Sequence, residues 1–416
     1  MKTKLSLFFC LLLGFFTVAA KAEIQFSGYG SIVGGKVISG EEDPSGEIEF
    51  PVDFYDYAFY TEDFKLKPET MIALQARMDV TDGLVFTGQL VAKGADDFKP
   101  DIDWLYLTYN INDDWYVMAG RRNLPMYYFS EYMEVGYAYP WIRPPANLYW
   151  WEITQFNGLT VAHQMNWSDW TATVSMFAGR EEREDIRSHD YWRNRGGYYF
   201  PPEGTYISGT ADVTWSDILG VNLNASNDWI DLRFSYFTTQ YETFADVFFR
   251  DEIDTDGDGI PDKVIERSRN EDGTPIRSGS WDVTKFDLEF LGLSGSFNFD
   301  FATLLFDYNL VKYDDAYSFE FPTYLITAIY NHDTWQPYIG YTKAAGKIKK
   351  DFDGFGTGDA EEHRMITVGI RYNFHPNASL KLQLDDFKDQ GDRSPWYDFS
   401  YHNDAKLLSV GVDFVF

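Results

Sequence analysis

Cysteine is all but missing from this 416-residue chain. The only one, Cys10, lies in an apolar N-terminal stretch, without the small residues that precede a lipidated cysteine. A chain cut behind that stretch has no thiol, which excludes disulfides and thiol chemistry. Long apolar runs are also scarce. After residue 22 none approaches the length of a membrane-spanning helix. The six histidines stand singly, at 163, 189, 332, 363, 375 and 402, none in a metal-ligand or nucleophile spacing. Basic residues are outnumbered by acids, 35 to 65, for a net charge of −30. Such a chain repels phosphate backbones, so no nucleic-acid partner is expected.

What is present begins with an export signature. Lys2 and Lys4 precede an apolar run from Leu5 to Ala20, and Ala20-Lys21-Ala22 has the small-x-small form of a cleavage site. Residues 1–22 are therefore expected to be a signal peptide, cut before Glu23. As a spanning helix the run is short, and a cleavage site follows it directly. The segment holds three lysines and no acid, so its loss takes the net charge from −30 to −33. Acidic chains are sometimes disordered, but 19% of this one is Phe, Trp or Tyr.

The remainder, residues 23–416, reads as one all-β domain. Leu408, Val410, Val412, Phe414 and Phe416 alternate with Ser409, Gly411 and Asp413. This period of two belongs to a strand with one oily and one wet face. The same rhythm recurs at Ile72 to Val80, Leu105 to Ile111, Trp170 to Met176, Ile366 to Phe374 and Leu380 to Leu384. In all it predicts about sixteen strands. Turns such as Thr81-Asp82-Gly83 and His375-Pro376-Asn377 alternate with long connections, among them 123–151, 180–204, 240–280 and 344–361. Apolar-out, polar-in strands with short turns at one end and long loops at the other predict a closed antiparallel barrel spanning an outer membrane.

The alternation assigns the inward face. It carries Arg77, Lys93, Arg371 and Lys381, on strands that become neighbours once the last strand closes onto the first. These residues are expected to form a basic stripe along a water-filled lumen. The blander expectation is that each is merely solvated in a wide pore.

At the connection after the fifth strand, Asn123 to Trp151, the chain resembles the general porins of Gram-negative bacteria. In that family this third loop folds into the barrel and narrows it. Gly120-Arg121-Arg122-Asn123-Leu124-Pro125 and Gly136-Tyr137-Ala138-Tyr139-Pro140-Trp141-Ile142-Arg143-Pro144-Pro145 are also similar to a porin-like family of marine gammaproteobacteria. The final aromatic resembles the assembly signal of bacterial outer-membrane barrels. The resemblance implies a homotrimer in the outer membrane, among lipid and lipopolysaccharide, passing small hydrophilic solutes and ions by diffusion without catalysis. The Pro-Glu-Phe-Gly-Gly loop motif of enteric porins is absent. Glu131 and Glu134 are therefore constriction candidates by location alone, with Arg122 and Arg143 beside them. Of the adjacent Arg121 and Arg122 only one can face inward while the strand lasts, and Arg122 is the expected one. The crowded aromatics of the loop could stack on a solute, but packing the loop onto the wall is their commoner role.

One motif stands apart. Asp254-Thr255-Asp256-Gly257-Asp258-Gly259-Ile260-Pro261-Asp262 spaces carboxylates so that Asp254, Asp256, Asp258 and Asp262 could wrap a calcium ion and pin their loop. Ile265 at the twelfth position departs from the EF-hand pattern, and a solvated acidic loop is the alternative. Two other functions remain open on the sequence: a channel selective for sugars or organic anions, and a structural or adhesive barrel with cation-binding loops.

Overall fold

The computed structural model describes residues 23–41, 48–53, 58–149, 153–188, 207–253, 263–267, 284–314, 318–349, 358–390 and 404–416. The expected signal peptide, 1–22, and the acidic motif, 254–262, lie outside them.

The strands are β1 (Ile24–Gly40), β2 (Phe50–Asp53), β3 (Ala58–Tyr60), β4 (Met71–Thr81), β5 (Leu84–Lys93), β6 (Pro100–Asn110), β7 (Trp115–Asn123), β8 (Gln155–Trp167), β9 (Trp170–Ser188) and β10 (Ile207–Ser226). They continue as β11 (Ile230–Ile253), β12 (Lys263–Arg267), β13 (Thr284–Asn298), β14 (Ala302–Asp314), β15 (Ser318–Tyr330), β16 (Trp335–Ile348), β17 (Gly358–His375), β18 (Ala378–Asp389) and β19 (Ala405–Val415). Sixteen of them pair antiparallel, each with the next along the barrel, and β1 pairs with both β4 and β19, so the sheet closes. The exceptions are β2 and β3, which form a separate hairpin, and β12, which extends the sheet beside β11. Closure leaves no barrel edge with unpaired backbone groups, which a lipid surround requires.

The alternation behaves as its chemistry demands. Ile326, Ile339, Ile366, Val368, Leu382 and Val410 point outward and are exposed on the barrel wall. Below them Trp115, Trp167, Trp229, Phe301, Tyr330 and Trp335 ring the end that carries the short turns; above, Tyr324 and Tyr341 mark the other boundary. This is the apolar band between two aromatic girdles of an outer-membrane barrel. The short turns use residues suited to them: Gly83, at φ +78°, closes β4 onto β5.

Several strands outrun the sequence reading. β9 continues to Ser188, β11 to Ile253, β16 to Ile348, and β17 begins at Gly358, all within stretches expected to be loop. The reason is physical. Above the membrane the outward face no longer needs to be apolar, so the period-two signal stops while the hydrogen-bond ladder goes on.

Candidate pore constriction

The chain leaves the wall after β7 and does not rejoin it until β8. Pro125, Pro140, Pro144 and Pro145 withhold the N–H groups a further ladder would need. Ser130 instead accepts hydrogen bonds from the backbone N–H of Met126 (3.2 Å) and Tyr127 (2.7 Å), and Asn123 donates to the Ser130 carbonyl at 2.7 Å. Two single 3-10 turns follow, Ser130–Tyr132 and Gly136–Ala138.

This loop fills one side of the barrel. Leu124, Met126, Tyr127, Phe129, Tyr139 and Trp141 are buried in a single cluster with Phe177, Trp215, Phe237, Phe290 and Phe321, which point inward from β9, β10, β11, β13 and β15. Aromatic edges meet faces here, as between Phe129 and Trp141 at 5.5 Å. The loop aromatics thus pack the loop against the wall.

Polar contacts carry the loop further round and down. Arg233 donates to the Tyr128 carbonyl, while Asp307 accepts from the Tyr128 N–H (3.2 Å) and the Tyr149 hydroxyl (3.1 Å). Tyr137 donates to the carbonyl of Pro376 at 2.7 Å, in the short turn between β17 and β18. The loop therefore reaches almost the whole depth of the barrel.

The expected basic stripe divides in two. Lys381 is fully buried. Its ammonium lies 2.8 Å from Asp413 and donates to the carbonyls of Gly136 and Trp141, both at 2.6 Å. All three of its donors are thereby used. A Cβ on Gly136 would lie 2.4 Å from an Asp413 oxygen, so glycine is required for this approach. Arg371 donates to the Tyr139 carbonyl at 3.1 Å and lies over the Tyr137 ring. Arg143, on the loop itself, pairs with Asp385 at 2.6 Å and with Glu69 through both Nε and Nη2, and donates to Ser409. Burial would lower the Arg143 pKa, but Glu69 outweighs it and holds the guanidinium above its usual range. These three cations sit under or within the loop rather than along open water, which corrects the picture of a continuous basic stripe. Arg77 is exposed, on the inward face of β4 toward the short-turn end.

The remaining candidates pair across the loop and the wall as well. Lys93, from the top of β5, meets Glu134 at 2.7 Å. Arg122, from β7, lies 3.4 Å from Glu131, which also stands 3.8 Å from Arg233. Glu131 keeps 45% of its side-chain surface exposed and Glu134 20%. Two loop acids thus face three wall cations. Arg122 is the inward member of its pair. Arg121 goes to Glu181 and Gln155, at 2.6 and 2.7 Å. Gly120, at φ +134°, interrupts the alternation just before them.

Most inward residues in the middle of β13 to β19 are buried, whereas Gln75, Arg77, Asp79, Trp104, Tyr106, Thr108, Tyr116 and Gln164 on β4 and β6 to β8 retain exposure. Sequence reasoning passed over Asp413, Asp307 and Arg233, although strand parity already placed them inward. Glu69 had no such signal, since it comes from a connection without a period. Among the described residues no three metal-ligating side chains gather.

No family model matches the sequence, and no curated protein does. Solved structures do match the fold. An anion-selective porin from Comamonas acidovorans aligns with a TM-score of 0.53 over 95% of this chain and 100% of its own, at 12% identity. The chain has a porin-like fold. The outer membrane channel DcaP of Acinetobacter baumannii aligns equally well, with a TM-score of 0.53 at 11% identity over 96% and 99% of the two chains. A trimer form of OmpT, an outer membrane protein of Vibrio cholerae, gives 0.52 at 9% identity over 95% and 100%. Against these porin-like barrels the loop after β7 is the segment to weigh, joined on the inner wall by the 48–69 connection, whose Ile48, Phe50 and Tyr60 are buried against Val37, Met365, Phe387 and Leu407 and whose Glu69 pairs with Arg143.

Proposed function

We propose that this protein is an outer-membrane channel through which small hydrophilic solutes and ions diffuse passively, narrowed by the loop after β7. The observation that carries this reading is the facing of loop acids Glu131 and Glu134 with wall cations Lys93 and Arg122, beside inward residues that keep contact with solvent. A closed barrel with an apolar belt has no use for solvated charges at its centre unless water passes there. Opposed charges leave a transverse field across the opening, which orders water and screens solutes by size and dipole. Export by the leader, assembly as a trimer beside lipopolysaccharide and calcium held at Asp254, Asp256, Asp258 and Asp262 belong to the same reading. The trimer form of the Vibrio protein supports the second of these.

A selective channel for sugars is the second reading. It draws support from Trp104, Tyr106 and Tyr116, half-buried on the inward face near the charge pairs, since flat rings stack on sugar rings. Burial of the loop's own aromatics weighs for the diffusion channel.

Osmotic swelling of liposomes holding the mature protein separates these readings. Entry rates that fall smoothly with solute size support diffusion, and saturating entry of one sugar class supports the selective channel. Liposomes that never swell would exclude both.

A further inference from the structure

The inner wall formed by β1 and β17 to β19 changes character with height. Toward the short-turn end its inward side chains are polar, among them Thr367, Lys381, Gln383, Ser409 and Asp413. Toward the long-loop end the same parity carries Val37, Met365, Phe387 and Leu407. A wall that met only water there would have no reason to turn apolar; a contiguous apolar patch marks a contact. The occupant is the chain's own first connection. It folds into the barrel through the hairpin of β2 and β3 and buries Ile48, Phe50 and Tyr60 on this patch, with Phe50 edge-on to Phe387 at 6.1 Å.

After the hairpin the chain returns to the wall. Val37 donates to the Thr61 carbonyl at 2.8 Å, and Gly35 and Lys65 exchange backbone hydrogen bonds at 3.0 Å. Pairing of β4 with β1 starts only at Met71. In between, Thr70 donates to the Lys67 carbonyl at 3.3 Å and closes a turn. An insertion of this kind in a ladder re-aims a side chain. Here it sends Glu69 inward, to the guanidinium of Arg143 on the loop after β7. Glu69 takes both Nε and Nη2, Asp385 accepts from Nη1 at 2.6 Å, Ser409 accepts at 2.7 Å, and the Tyr60 ring centre lies 5.9 Å away. A planar fork held at two points by one carboxylate fixes direction as well as distance. Arg143 thus ties one inward element to the other, and both to the wall.

Together the two elements pack over inward residues of β9 to β11, β13 to β19 and β1. Solvent-facing side chains remain along β4 and β6 to β8, among them Gln75, Arg77, Trp104, Tyr106 and Tyr116. We propose that the 48–69 connection is a second constriction, in series with the loop after β7 and fastened to it by Arg143. A solute entering from the long-loop end is then confined to a slot against β4 to β8 before it reaches Glu134 and Lys93. The inference rests on the channel reading and adds a size filter at the outer mouth.

The test is polymer exclusion in single channels of the full mature chain, with polyethylene glycols of graded size added to one side at a time. A polymer that enters the pore lowers its conductance, and an excluded one does not. Sizes that lower the current from the short-turn side should have no effect from the long-loop side. Phe50→Asp puts a carboxylate into the apolar seat and should lift the hairpin. The long-loop side should then admit those sizes while the short-turn side behaves as before. Glu69→Gln keeps the seat but weakens the tie, and should add current noise with part of the same relaxation. A conducting wild type with equal exclusion from both sides overturns the proposal, whether or not Phe50→Asp folds, and leaves the channel reading standing. Wild-type noise and exclusion in Glu69→Gln would overturn the fastening by Arg143. A wild type without current overturns the channel reading, and the second constriction falls with it.

Discussion

Lys381 and Asp413 form a buried pair inside a membrane barrel, at 0% and 1% side-chain exposure. Such a pair is not in itself a source of stability, because desolvation offsets attraction. Its consequence appears when one partner is removed. Lys381→Met should destabilise the barrel by roughly 3–5 kcal/mol, since Asp413 is left charged and without its cation. Lys381→Met/Asp413→Leu should recover most of that loss. Urea unfolding in detergent micelles reads both, and equal stability of the single and double variants would remove the pair from the account. From sequence alone Lys381 and Lys93 were equivalent: basic, inward and on strands near closure. One ended beneath the loop and the other at the opening. Their difference is set by where the loop settles, and no strand period encodes that.

The loop after β7 acts as an element because its fixings are of different kinds. Aromatic packing holds it to β9 through β15, and buried cations hold its carbonyls to β17 and β18. Trp141 joins the two, being fully buried in the cluster while its carbonyl accepts from Lys381. Trp141→Ala should cost about 3–5 kcal/mol by the cavity it leaves. It should also raise single-channel conductance and its noise, as the loop loosens. Unchanged conductance in a folded variant would mean that the loop does not set the narrowest section. The wall strands were readable because lipid enforces one uniformly apolar face on them. The loop's presence was readable as a break in that period, but its path was not. Its aromatics choose partners such as Phe237 and Phe290 from inward positions that look no different in sequence from the water-facing ones.

At the scale of the whole molecule, closure and the apolar belt follow from the alternation, and the surplus of acids says little about the lumen. Around the constriction neither sign dominates by more than one charge: Lys93, Arg122 and Arg233 on the wall, Glu131 and Glu134 on the loop. Ion preference should therefore be weak in the native protein and easily tipped. Glu134→Gln removes a negative charge beside Lys93 and should shift permeation toward anions. Lys93→Gln should shift it toward cations, with opposite changes in reversal potential under a salt gradient. Shifts in the same direction would place the selective section elsewhere in the barrel.

The measurement that bears most directly on the central claim is single-channel recording of the refolded mature protein in planar bilayers. The account predicts discrete, stepwise openings that persist at low voltage, smaller than an unobstructed sixteen-stranded barrel would give, because the loop fills one side. A protein that inserts as a folded barrel and carries no current would contradict it, and would identify the loop after β7 as a plug.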